Sequence, residues 1–492
     1  MMPAAARYRV AIIGAGPSGF YAAEALLRSG QPVSVDMFER LPVPYGLVRF
    51  GVAPDHPKLK QVTKVFDRIA GMPNFRFFGG IEVGEALSIG ALRSCYHAVV
   101  IATGASVGRA MGVPGERFSG SFQAADFVAW YNGHPEYRHH AFDLSGERAV
   151  IIGHGNVALD VARILAKTAD ELKHTDIAAH ALDALAASRV RDIYLVGRRG
   201  PDQTRFAAKE LQEFSELADC DPVAELDGFA MPAADASGDA EAQAALATLR
   251  SFTKPVGARP RRCIFLFGLT PVGIAGGDRV QRMLFRRSSG HGSAEVAIDC
   301  DLVLSSIGRR TAPISGIPYD EARGVHANIG GRITAYGVAL RGIYVCGWGK
   351  RGPQGTIGTN RACSVETVGH VLADLPRLDD PPAHPDSLFG GAASRMPHYV
   401  DYPGWERIDA EEVARGMTAG KPREKLVALD EMFAAARGGI APCPRSASHR
   451  LETTLDVERF RGDQPFAADP VKREIVDIEG GIDPDSHLHQ RL

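Results

Sequence analysis

Glycines at two fixed spacings and a pair of adjacent arginines carry the plainest chemistry in this sequence. "YRVAIIGAGPSGFYAAEALLRSG" sets Gly14, Gly16 and Gly19 as G-x-G-x-x-G between an apolar run and a helical one. The first glycine permits a tight turn, the second lets a pyrophosphate approach bare backbone, and the third lets helix and strand pack closely. The helix then aims its unpaired N–H groups and positive dipole end at the phosphates. "RAVIIGHGNVALDVARILA" repeats the arrangement at Gly153, Gly155 and Ala158, with Asn156 and Val157 between them. In the usual design an acid ends the next strand and accepts from ribose hydroxyls. "VSVDMFER" supplies Glu39 about 20 residues beyond Gly19. After the second loop, "IYLVGRRGP" ends instead on Arg198 and Arg199. Two planar, permanently charged forks suit the 2′-phosphate of NADP, which NAD lacks.

The elements that must position these residues can be read around them. The strand end that carries Arg198 and Arg199 arrives about 40 residues after its loop rather than 20, and "KTADELKHTDIAAHALDALAASRV" reads as an inserted helical excursion. Two dinucleotide sites in one chain point to FAD in the first and NADPH in the second, with hydride passing from nicotinamide to flavin. "AVVIATGAS" (98–106) and "LVLSSIGRR" (302–310) are strands that end in small-residue turns and carry the chain between the two domains. The expected class is therefore α/β, with two Rossmann-like dinucleotide-binding domains. The FAD domain is discontinuous over 1–105 and 324–440, the NADP domain covers 106–323, and 441–492 forms a loosely ordered C-terminal extension. "RGPQGTIGTNRACSVETV" turns from glycine-rich to helical, so its helix N-terminus is expected to face the flavin and favour negative charge there. "YVCGWGK" has Trp348 where many two-nucleotide flavoproteins have Gly-Asp, so the ribitol must be held differently and Trp348 is expected against the flavin, the alternative being a core tryptophan.

Composition narrows the remaining classes. A chain of 492 residues implies two or three domains. Its net charge of −2 makes no global field for nucleic acid or membrane, so a charged partner needs a local patch. No apolar run is long enough to span a membrane, and a strand beginning near Tyr8 leaves no room for a signal peptide. Seven scattered cysteines without C-x-x-C argue against a zinc site, an iron–sulfur cluster or a redox disulfide, and no metal is expected. A reduced, cytoplasmic setting is the simple reading.

Three longer motifs carry a resemblance. "LPVPYGLVRFGVAPDHPKLK", "VGRRGPDQTRFAAKEL" and "GWGKRGPQGTIGTN" resemble the adrenodoxin reductase type of ferredoxin–NADP+ reductase, and the likeness runs in order from about Tyr8 to Gly439. The resemblance implies that Ser18, Glu39, Leu47, Val83 and Trp348 contact FAD, with Gly355, Thr356 and Ile357 along the flavin ring. It implies that Arg109, the stretch from Gly155 to Ala158, Arg198, Arg199 and Glu210 contact NADP. His56 and Glu213 would then sit where nicotinamide and flavin meet. His154, where the family often has asparagine, is expected to turn away from the phosphates. For His56 the alternative is a loop histidine that only shapes the backbone between Pro54 and Pro57.

The implied activity is NADPH–ferredoxin oxidoreduction, ending in single-electron transfer to an iron–sulfur protein and reversible in principle. Such partners dock transiently and by charge. Arg198/Arg199, Arg205/Lys209, Arg309/Arg310 and Lys350/Arg351 are expected to form a basic rim for one, on a chain acting as a monomer. A flavin monooxygenase shares both nucleotide folds, but "FSGSFQA" misses its F-x-G-x-x-x-H fingerprint. Disulfide reductases lack support without C-x-x-C, and no cysteine-rich domain like that of the glutamate synthase small subunit is present. A non-catalytic FAD/NADP redox sensor is the alternative from another class.

Overall fold

The computed structural model describes residues 7–204, 206–226, 229, 240–253, 257, 259–287, 295–389 and 399–438. The 441–492 extension and Arg205 of the expected rim lie outside them. Two sheets organise the described chain. The first has seven strands in the order Asn328–Ile329, Arg332–Ala335, Val338–Val345, Ala98–Ile101, Tyr8–Ile13, Val33–Glu39 and Phe75–Gly79. From Val338–Val345 onward every neighbour is parallel, and only the two short strands at the far edge are antiparallel. A late strand thus pairs beside early ones, so this sheet is discontinuous in sequence.

The second sheet has six parallel strands: Ser121–Gln123, Leu302–Ser305, Arg148–Ile152, Asp192–Val196, Arg261–Leu266 and Cys220–Ala224. A three-stranded antiparallel sheet, Leu269–Gly276, Val280–Arg287 and Glu295–Asp299, packs on it. The chain crosses between the two large sheets on Val107–Gly108 and Arg309–Arg310, which pair antiparallel. The inserted excursion is helical at Ala169–Leu172 and Ala179–Ala186.

Both sheets are covered on both faces, as parallel sheets must be. In Tyr8–Ile13, Val10 and Ile12 enter one core while Ala11 and Ile13 enter another. Ala149 and Ile151 are likewise divided from Val150 and Ile152. The strand period of two sends successive side chains to opposite faces, so the near-continuous apolar runs in the sequence follow directly from the architecture. Among the described residues no helix is long and apolar enough to cross a membrane.

Buried charge ties the segments together. Asp176, from the second sheet's connections, accepts from Lys60 Nζ at 2.6 and 2.8 Å, and Lys425 Nζ lies 3.0 Å from its Oδ2. Lys60 belongs to the first sheet's connections and Lys425 follows the helix Tyr402–Thr418. Burial pushes the Lys425 ammonium down to about 7, only partly countered by Asp176. Burial also works against the Asp176 carboxylate, but the two lysines outweigh it and hold its pKa below the usual range. Replacing Asp176 by alanine removes the carboxylate that both lysines share, so that a buried ammonium is left uncompensated or must give up its proton, a change expected to cost about 3–5 kcal/mol. Denaturant unfolding at neutral pH measures this, and a midpoint equal to that of the parent chain would refute it.

Candidate functional site

Both glycine loops have the backbone shape that phosphate binding requires. Gly14 has φ +103°, and a Cβ there would lie 2.7 Å from the Ala102 carbonyl oxygen. A Cβ on Gly19 would sit 2.1 Å from the Gly14 carbonyl oxygen, so the helix Pro17–Leu27 can approach only because Gly19 has none. Beside Gly16, by contrast, a Cβ would meet nothing within 4 Å. The helix starts on Gly16 with proline in its first turn and no side-chain cap, which leaves its first N–H groups for another acceptor. The second loop matches: Gly153 has φ +127° and is pressed on Ser306, Gly155 faces open space, and the helix Asn156–Ala166 has no side-chain cap. Ala158 is fully buried.

Glu39 is already engaged. Its Oε2 accepts from Ala15 N–H at 2.8 Å and its Oε1 from Leu41 N–H at 3.2 Å. Burial raises its pKa, with the two backbone donors acting in the opposite direction. The following turn bends back over the loop. Tyr45 adopts φ 82°, sparsely populated for a residue with a side chain. Its N–H donates to Ala15 O at 2.8 Å, and its hydroxyl meets Asp67, Tyr402 and Trp405 Nε1. These contacts bring Gly46 against Gly16 and leave Leu47 half-buried beside them.

A third helix N-terminus belongs to the same region. Gly347, at φ +66°, has no room for a Cβ because Ser18 Oγ would lie 2.0 Å away. Ser364 Oγ donates to Ser18 O at 2.9 Å and joins the helix Ile357–Asp374 to the first glycine helix. Gly355 and Thr356 are exposed and Ile357 half-buried at its start. Trp348 is also half-buried, with Nε1 donating to Gln354 O at 3.2 Å. Val83 packs at the margin of the core behind the first sheet.

At the second site, Arg198 and Arg199 are exposed, and neither guanidinium makes an ion pair among the described residues. Among the described residues the Arg109 guanidinium reaches the carbonyls of Arg309 and Arg323, each at 3.4 Å. Asn156 Oδ1 accepts from Ala207 N–H at 2.9 Å, and Val157 is 48% exposed. His154 turns onto the strand behind it, with Nε2 3.1 Å from Leu195 O and its ring against Phe206 and Phe267. Burial pushes it down to about 4, so it stays neutral. The expected basic rim needs one correction. Lys350 is 9% exposed and held by Glu366 at 2.9 Å, because its helix packs on the Val325–His326 strand, so it does not face solvent.

His56 and Glu213, 157 residues apart, meet with Nε2 2.9 Å from Oε2. Sequence reasoning missed what surrounds them. Arg163, on the second glycine helix, is 1% exposed and forks onto Asp55 at 2.7 and 3.1 Å. It also donates to Asp160 at 2.6 Å. The i, i+3 spacing of Asp160 and Arg163 on one helix face was the available signal, but nothing local pointed to Asp55. Glu210 lies in the same cluster, and among the described residues its buried Oε2 has no hydrogen-bond partner.

Known proteins were compared with this geometry. Residues 8–196 match the pyridine nucleotide-disulphide oxidoreductase family. The NADPH-ferredoxin reductase FprA of Mycobacterium tuberculosis is 42% identical over 454 residues, covering 87% of this chain and 98% of that one. The mitochondrial NADPH:adrenodoxin oxidoreductase of Arabidopsis thaliana is 38% identical over 460 residues, covering 87% and 95%. The solved structure of M. tuberculosis FprA in complex with NADPH superposes with TM-score 0.82 at 40% identity, covering 88% of this chain and all of that one.

Burial, and then the neighbouring Asp160, raise the Glu210 carboxyl from 4.5 to about 7. The folded chain therefore holds more protons than the unfolded one between these values, and stability from this group falls as pH rises through them. Glu210→Gln should match the parent near pH 4.5 and exceed it above pH 7. The gain should be about 1 kcal/mol, less than the full shift implies because the group is partly solvated. Unfolding midpoints at the two pH values check this; an equal difference at both contradicts it.

Proposed function

Because this chain belongs to the adrenodoxin reductase type of NADPH–ferredoxin reductase, we propose that it moves electrons from NADPH to a ferredoxin-type iron–sulfur protein, with FAD as its resident cofactor. The observation that carries the reading is the His56–Glu213 contact, which joins the connections of the two nucleotide sheets at one point. FAD fits the first site: the open space beside Gly16 and the uncapped helix start are what a pyrophosphate occupies. Gly14, Gly16, Ser18, Gly19, Glu39, Leu47, Val83, Trp348 and Gly355 to Ile357 would hold it. When bound, FAD supplies the conversion of a two-electron hydride into single electrons.

The protein's own residues do the rest. The Gly155–Ala158 helix start binds the NADPH pyrophosphate, Arg198 and Arg199 grip the 2′-phosphate, and Arg109 and Glu210 contact the nucleotide elsewhere. His56 and Glu213 orient the nicotinamide and hold a proton between Nε2 and Oε2. We read residues 1–105 and 324–440 as the FAD domain and 106–323 as the NADP domain. Of the expected rim, the exposed Arg198, Arg199, Lys209 and Arg310, without Lys350, would steer an acidic partner.

The decisive experiment mixes the purified protein with NADPH anaerobically, follows flavin bleaching, then adds oxidised ferredoxin. Bleaching reversed by ferredoxin supports the proposal. Reversal only by oxygen with an organic substrate would make it a monooxygenase, and no bleaching would make it a binding module. Removing Arg198 or Arg199 should weaken NADPH use by roughly tenfold to a hundredfold, the worth of a charge-assisted contact, and leave NADH use little changed. Equal losses with both nucleotides would show that these arginines do not read the 2′-phosphate.

A further inference from the structure

The helix Asn156–Ala166 does more than present its N-terminus. Asp160 and Arg163 fall on one face of it, with Lys167 just beyond its end. Arg163 is one of the largest fully buried side chains in the described protein, and its guanidinium meets three carboxylates. It forks onto Asp55, the chain neighbour of His56, at 2.7 and 3.1 Å. It donates to Asp160 at 2.6 Å, and His56 Nδ1 lies 3.9 Å from that same Asp160 oxygen. Its Nη1 stands 3.4 Å from Glu213 Oε2, the oxygen that faces His56 Nε2 at 2.9 Å. Both ring nitrogens of His56 therefore face carboxylates that Arg163 also faces, Asp160 through a hydrogen bond and Glu213 as a nearby charge, and His56 is the chain neighbour of the anchored Asp55.

We infer that Arg163 is a positioning residue for the electron-transfer reaction, fixing the orientation and charge balance of the His56–Glu213 couple from behind. The inference rests on the function proposed above. The charged and titratable groups facing this couple are Asp55, Asp160, Glu210 and Lys167, with the Tyr131 hydroxyl on the neighbouring helix Ala124–Tyr131. Burial works against the Arg163 charge, but hydrogen bonds and attraction from Asp55 and Asp160 outweigh it and keep the guanidinium protonated. Without that charge the carboxylates around His56 repel one another, and protonated forms become favoured to higher pH.

The test compares Arg163→Met, Arg163→Lys and Glu213→Gln, singly and combined, on protein that retains its flavin absorbance. Flavin reduction by NADPH is followed anaerobically against pH. Arg163→Met should move the pH profile to the alkaline side by about one unit or more. It should lower the limiting rate roughly tenfold to a hundredfold and leave the KM for NADPH within about twofold. Arg163→Lys keeps a charge without the fork, so the profile should return toward that of the parent while the rate stays reduced. Should the methionine variant not fold, the cycle of Arg163→Lys with Glu213→Gln decides. Losses smaller in the double variant than the product of the singles support the inference. Losses that multiply independently, with an unmoved pH profile, overturn it and leave Arg163 a purely structural clamp. Parent protein that NADPH never bleaches would instead overturn the function beneath it.

Discussion

Two nucleotides can exchange a hydride only if the parts that hold them keep a fixed distance, and in this protein a buried ion pair joins the connections of the two large sheets. Arg163 belongs to the helix that begins at the second glycine loop, while Asp55 belongs to the connections of the first sheet. Their fork-to-carboxylate contact is almost fully shielded from water, with side chains 1% and 5% exposed. Such a pair contributes little net stability, since desolvation cancels most of the attraction. Its value here is geometric. A guanidinium donates to carboxylates in its own plane and at its own spacing, so the pair favours one arrangement and penalises slippage. Lys60, Asp176 and Lys425 repeat the device with a third segment, the stretch after the helix Tyr402–Thr418.

How far the sequence reveals this follows from the range of each interaction. Loop glycines are legible because their constraint is local: three positions within six residues decide whether a helix can start against a strand. The placing of Glu39, Arg198 and Arg199 at or just past strand ends is legible for the same reason, since strand ends are marked by where an apolar run stops. The discontinuous first sheet was also readable, from two strands with similar endings. What stayed hidden is contact between distant charges. Nothing in "GVAPDHPKLK" says that Asp55 lies against Arg163 or that Lys60 meets Asp176, because a charged residue in a polar stretch ordinarily faces water. Lys350 failed in the opposite direction. The pattern "GKRG" looked solvated, and only the packing of its short helix on Val325–His326 buries it.

The two strand ends also differ in a way that bears on recognition. Glu39 has its oxygens occupied by Ala15 and Leu41 N–H groups, so its charge is partly spent in shaping the loop before any ribose arrives. A preformed site of that kind suits a cofactor that stays: order is built in at folding, and little remains to be lost on binding. Arg198 and Arg199 are the reverse, exposed and without an ion pair among the described residues. On the proposed function their interaction energy would be realised only when a phosphate is present, which would make it available for discrimination between nucleotides. On that reading the chain would treat its two nucleotides by opposite rules. One loop is braced by internal hydrogen bonds and a strained Tyr45 turn; the other is followed by exposed charges that water can reach and that a bound phosphate would claim.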